Sequence, residues 1–334
     1  MNSLQRTLNL VEGNAIDSLP AMPIFMLWAA KHYGVSYADY VQDYRVLAEC
    51  QLRLVEDFDL DILQLISDPV RETADCGAEM IYYDDTPPRA AQCLLADKSA
   101  FKTMQRPDPA VGRMGDRVAG AAYLAEQGGN DYPVMGWVEG PIAEAVCLRG
   151  MSDFMVDLLE DLGFARDLMA WIVELEIDFA RAQIAAGCHI IGMGDAAASL
   201  ISAELYEAEV LPGEQQIVAA IHEAGALARL HICGNTNHIL RQMAETGCDI
   251  IDLDHLVKME NARPEMGPET VLLGNFDPVS VLCDGTPQQV YEACRQCHEW
   301  GRPRYIVGSG CETPPDTPEA NIRAMTRYAR AAAV

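Results

Sequence analysis

Apolar positions along the chain alternate between two rhythms. Short apolar runs occur at Ala21–Met26, Asp61–Ile66, Pro133–Val138, Cys188–Met193, Ala226–His231, Asp249–Leu253, Val271–Gly274 and Tyr305–Ser309. Each is short enough for a strand and is followed by turn-forming or polar residues. Longer amphipathic stretches lie between most of them. In the stretch from Tyr37 to Asp57, Tyr40, Tyr44, Leu47, Leu52 and Val55 share one stripe. Gly112–Gln127, Phe154–Ala186, Ser202–Gly225, 237–246, 287–300 and Pro318–Ala331 carry the same helical spacing. Strands that alternate with helices make a parallel sheet. Eight such units in 334 residues predict a closed (β/α)₈ TIM barrel, α/β in class, as a single domain over 1–334. An open doubly wound sheet is the alternative, but no G-x-G-x-x-G follows a strand, which argues against its dinucleotide-binding form.

Two regions depart from the rhythm. Residues 1–20 read as an N-terminal helical extension with an entry loop. Residues 70–112 read as an insertion over the barrel mouth, with a short β piece at Met80–Tyr83 and a turn at Asp84–Pro88. Pro23 weakens the first strand, because proline cannot donate to a ladder.

Composition narrows the function. The net charge is −26, and no Lys/Arg cluster forms the basic face that a nucleic-acid binder needs. No apolar run reaches the ~18 residues of a membrane span, and Met1–Asp17 has no signal-peptide core. A cytoplasmic protein is expected. Its eleven cysteines then read as free thiols, most of them small buried hydrophobes.

The strand ends carry the chemistry. In a barrel they converge on one mouth, and here they supply Asp68, Glu139, Asp195, His231 with Cys233, Asp254 with His255, Asn275 with Asp277, and Cys311. Aspartate and asparagine at such positions also serve as helix caps. His231 and Cys233 are two apart, so they share one face of a strand. Cys311, at the end of the last strand, completes a set of one nitrogen and two sulfurs. That is a three-ligand catalytic Zn²⁺ set with one open position. Glu139 is the candidate fourth ligand and a candidate catalytic group, with Asp195 second. Asp68, Ser199, Asn275 and Asp277 are expected to line the substrate pocket. Cys294-x-x-Cys297-His298 lies inside a helical stretch and reads as ordinary helix positions.

These residues resemble the uroporphyrinogen decarboxylase superfamily. The matching segments are Glu139-Gly140-Pro141, Asp195 to Ser202, His231-Ile232-Cys233-Gly234-Asn235, Gly274 to Pro278, and Gly310-Cys311-Glu312 on to Asn321. The resemblance implies a (β/α)₈ barrel. Within the superfamily, His231-x-Cys233 with a downstream Gly310-Cys311 is similar to the zinc-dependent, corrinoid-linked methyltransferases. The decarboxylases carry an Arg-Gln-Ala-Gly-Arg segment for substrate carboxylates where this chain reads Leu19-Pro20-Ala21-Met22-Pro23. The resemblance implies Zn²⁺ as cofactor, with cobalamin carried by a separate corrinoid protein. It also implies a small methyl donor or acceptor, either a methoxylated aromatic or a thiol such as coenzyme M. The Gly310–Pro315 end is slightly more like the demethylating members. A metal-free decarboxylase and a non-catalytic ligand-binding barrel are the rival readings, and a homodimer is left open.

Overall fold

The computed structural model describes residues 1–332. Seven parallel strands form one curled sheet: β1 (Leu63–Gln64), β4 (Val134–Glu139), β5 (Ile190–Gly194), β6 (Leu227–Ile232), β7 (Ile250–Leu253), β8 (Val271–Leu273) and β9 (Tyr305–Ile306). The eighth position is held by the segment at Ala21. It makes a parallel bridge to Val307, and its carbonyl accepts from Asp61 N just before β1. The expected first strand is thus only a bridge, although it closes the ring. Proline at 20 and 23 denies it donors. Asp61 secures this closure from below. Its carboxylate accepts from Ala21 N at 2.7 Å and Ser3 Oγ at 2.8 Å, and pairs with Arg6 at 2.6 Å and Arg330 at 2.9 Å.

Side chains alternate between two cores, as the strand period of two requires. Met22, Ile62, Met135, Trp137, Ile190, Ile250, Val271, Leu273 and Ile306 fill the barrel interior. Their neighbours Leu63, Val134, Val138, Ile191, Leu230, Ile251 and Leu272 pack outward against the helices. Leu10 joins the interior cluster, so the N-terminal helix Ser3–Glu12 closes the barrel floor.

The predicted helices hold with local corrections. The stretch from Tyr37 breaks into Tyr37–Gln42 and Tyr44–Phe58 at Asp43, whose carboxylate caps the second helix through Arg45 N. Helices Leu27–Tyr33 and Met259–Met266 carry no clear apolar stripe in the sequence, and the second contains Pro264. The insertion contains a helix, Arg71–Asp75, and a small antiparallel hairpin of β2 (Met80–Ile81) and β3 (Arg89–Ala90). Among the described residues, no helix is long and apolar enough to cross a membrane.

Candidate metal centre at the barrel mouth

β6 carries the first two ligands. His231 lies one strand spacing from Asp252 of β7 in register, and both point inward. The imidazole Nδ1 faces the Asp252 carbonyl at 3.2 Å and its carboxylate at 3.4 Å. That leaves Nε2 directed at Cys233 Sγ, 3.0 Å away. The chain turns sharply after Cys233. Gly234 adopts φ +96°, a conformation side chains rarely take, and a Cβ there would stand 2.8 Å from Ser199 Oγ. The Asp254 carboxylate fixes this turn by accepting from Gly234 N at 2.8 Å.

Cys311 arrives from the loop after β9. Phe276 and Ser309 form a bridge, and Gly310 N donates to the Phe276 carbonyl at 2.9 Å. Gly310 has no side chain, so the loop lies against the His255 backbone, where a Cβ would approach to 2.3 Å. Cys311 Sγ then stands 3.7 Å from Cys233 Sγ. The ligand atoms of His231, Cys233 and Cys311 all lie within 4.8 Å of one another, the one such group among the described residues. With Zn–S bonds near 2.3 Å and Zn–N near 2.0–2.1 Å, a tetrahedral ion sets sulfurs about 3.8 Å apart and nitrogen and sulfur about 3.6 Å apart. The sulfurs already match. The imidazole, now 3.0 Å from Cys233 Sγ, needs to open by about 0.6 Å. The set fits zinc in element, number and spacing.

The three donors share protons. The hydrogen bond shared with Cys233 lowers the Cys311 thiol to about 5, while the same bond raises Cys233. Burial opposes charge on His231, yet the Cys233 and Asp252 charges outweigh it and hold its pKa well above the ordinary value.

Glu139 lies at the same level as His231, with Gly194 of β5 between them in register. Two strand spacings separate their backbones, about 10 Å, and the Trp137 indole packs over Gly194 between them. Glu139 itself is held by Arg71 Nη2 at 3.0 Å and stands outside the three-ligand group. Burial, reinforced by nearby Glu72 and opposed by Arg71, pushes its pKa up to about 8.

The remaining predicted residues separate by position. Asp68 is bound by Arg113 at 2.7 and 2.9 Å, and this pairing outweighs burial to hold it down at about 2. Ser199 sits beside Gly234 at the metal turn and donates to the Ala196 carbonyl. Asn275 ties two loops by donating to the carbonyls of Asp254 and Val257 at 3.0 and 2.7 Å. Asp277 caps its own turn through Val279 N and Ser280 N. Asp195 is fully buried and follows the outward parity of Ile191 and Met193. It accepts from Ala143 N at 2.7 Å, packs on Gly140 and faces Glu214 rather than the mouth. Cys294 and Cys297 are buried in the helix Pro287–Gly301, where His298 Nδ1 meets the Tyr328 hydroxyl at 2.8 Å.

Several groups near the site were invisible to motif reading. Arg71 and Arg113 engage the carboxylates just named. Glu72, Glu144 and Glu176 gather behind Glu139, and both Glu176 oxygens lack a partner. Burial raises all three above the ordinary carboxylate range. Glu312, next to Cys311, is raised to about 7 by burial and accepts from Leu27 N at 2.9 Å. None has a sequence spacing that marks it, because they come from several different elements.

The uroporphyrinogen decarboxylase family model matches residues 2–332. The chain belongs to the uroporphyrinogen decarboxylase family. A methylcobamide:CoM methyltransferase, MtbA, of Methanosarcina mazei is 33% identical over 222 residues. That match spans 66% of this chain and 64% of MtbA, less than two thirds of its length. A uroporphyrinogen decarboxylase of Nostoc sp. (strain PCC 7120) is 23% identical over 319 residues, 90% of each chain. A solved methyltransferase from Methanosarcina mazei superposes with a TM-score of 0.90 over 98% of both chains, at 20% identity. That superposition supports the barrel assignment of this family member.

Proposed function

We propose that this family member is a zinc-dependent methyltransferase that moves a methyl group between a corrinoid protein and a small substrate. The observation that carries the reading is the His231–Cys233–Cys311 group at the barrel mouth, with its sulfurs at tetrahedral spacing. Zinc held by these three residues would keep its open position for a thiol sulfur or a phenolate oxygen and act there as a Lewis acid. The similarity to a methylcobamide:CoM methyltransferase supports a thiol acceptor over a methoxylated aromatic donor. In that direction the thiol loses its proton, its sulfur bonds to the methyl carbon, and the cobalt–carbon electron pair stays with the corrinoid.

This chain's own residues supply the rest. Asp252 fixes the His231 ring, and the Gly234 and Gly310 turns bring both sulfurs to it. Glu139, on the inward face of β4 with Arg71 holding its Oε1, is assigned to take up the thiol proton. Ser199 packs against the Gly234 turn beside Cys233. Asp68, locked to Arg113, together with Asn275 and Asp277, shapes the loops around it. Asp195 joins the start of the helix Pro141–Arg149 to β5 and so sets where Glu139 ends.

A decarboxylase acting on a tetra-acid fits less well. Leu19–Pro23 offers no arginine, and Arg71 and Arg113 are already bound to Glu139 and Asp68. The test is methyl transfer by the zinc-loaded protein from methylcobalamin to a panel of thiols, run beside demethylation of methoxylated aromatics with cob(I)alamin. A methylated thiol is the expected product. Full activity in protein freed of zinc would refute the reading.

A further inference from the structure

Directly beneath His231 the barrel interior departs from its apolar pattern. Arg229 of β6 is 1% exposed and enters the layer of Met135 and Ile250, its Nη1 only 3.6 Å from Met135 Sδ. Its Nη2 meets the Asp252 carboxylate at 2.5 Å. Branched apolar side chains ordinarily fill barrel layers. A buried ion pair is a poor way to gain stability, because desolvating two charges can exceed their attraction. The pair is also incompletely satisfied: Arg229 Nε and Asp252 Oδ1 have no partner. Stability therefore gives no reason for these residues, and their upper neighbour does. Asp252 Oδ2, the oxygen that Arg229 grips, is also the one that faces His231 Nδ1 at 3.4 Å. With the Asp252 carbonyl at 3.2 Å on the same side, both acceptors lie at Nδ1. A metal on Nε2 would therefore leave the hydrogen on Nδ1, where both acceptors lie.

We infer that Arg229 and Asp252 form a positioning couple for the metal centre: Asp252 orients the His231 ring through Nδ1, and Arg229 holds the carboxylate where it can do so. Neither touches the metal or the substrate. The assignment rests on the zinc reading and names two residues on which that site depends. Groups that orient a metal-bound histidine typically contribute 10–100-fold to metal affinity. An effect toward the lower end is expected here, because the Asp252 carbonyl remains when its carboxylate is removed.

The decisive variant replaces both partners at once, Arg229→Met with Asp252→Leu. It leaves no unpaired buried charge, so the melting temperature should stay level or rise. Zinc affinity, read by chelator competition, should fall about tenfold, and the absorption bands of the cobalt(II)-loaded protein should shift. A purely structural pair would lower the melting temperature and leave the metal readouts alone. A folded double variant with unchanged zinc affinity and cobalt spectrum overturns the inference. Should the double variant fail to fold, ring-nitrogen NMR of the zinc-loaded wild-type protein decides. A proton on His231 Nδ1 with metal on Nε2 supports the couple, and the reverse arrangement overturns it. A wild-type chain without zinc affinity would instead sink the metal reading itself and this assignment with it.

Discussion

Replacing Cys311 tests the centre most directly. Cys311→Ala removes one of two sulfurs that already stand 3.7 Å apart, close to the roughly 3.8 Å of tetrahedral thiolates. Little rearrangement separates the present geometry from the loaded one, so the lost ligand should cost close to its full share of binding. Structural zinc sites bind with roughly 10–16 kcal/mol spread over four ligands, or about 2.5–4 kcal/mol for each. Loss of one therefore weakens zinc by roughly 10²–10³-fold. Chelator competition with a zinc indicator measures this, and the cobalt(II)-loaded protein should lose part of its thiolate charge-transfer absorption. Cys283→Ala, at the end of the helical segment Pro278–Cys283 and outside the three-ligand group, serves as the control. If Cys311→Ala keeps zinc within about threefold of wild type while Cys283→Ala behaves identically, the three-ligand assignment is refuted.

Three further outcomes follow from the charges around the site. Arg113→Met leaves Asp68 buried without its partner and should cost about 3–5 kcal/mol in denaturant unfolding. The pair's contribution is full above about pH 4 and fades as pH falls toward about 2, so the deficit should shrink in acid. Glu176→Gln should act in the opposite sense: a carboxyl whose folded pKa is raised supports the fold below about pH 4.5 and loses that support as pH rises. The glutamine variant should therefore gain on wild type at neutral and alkaline pH, and a parallel pair of stability–pH curves would argue against a neutral Glu176. If Glu139 takes up the thiol proton, methyl transfer should rise through about pH 8, and Glu139→Gln should abolish that limb.

Much of the fold was legible because apolar runs and helical stripes record which residues must leave water. The N-terminal segment was harder. Ala21–Met26 reads as a strand, but proline donates no hydrogen bonds and only a bridge forms. Met259–Met266 was missed because its polar residues and Pro264 mask the helical stripe.

At the site, the sequence determined local relations. Spacing of two put His231 and Cys233 on one face, and the strand-end position of Cys311 made it a ligand candidate. Tertiary structure decided which face is the inside. Strands such as β4 are apolar on both faces, so parity alone cannot separate Glu139, which turns inward, from Asp195, which turns outward onto Gly140. Closure of the ring also made neighbours of residues far apart in the chain, including Arg71 with Glu139, Arg229 with Asp252, and Glu72 with Glu176. Such charges are stable in the interior only where a partner or a bound proton meets them. A linear sequence names the charges but cannot place their partners.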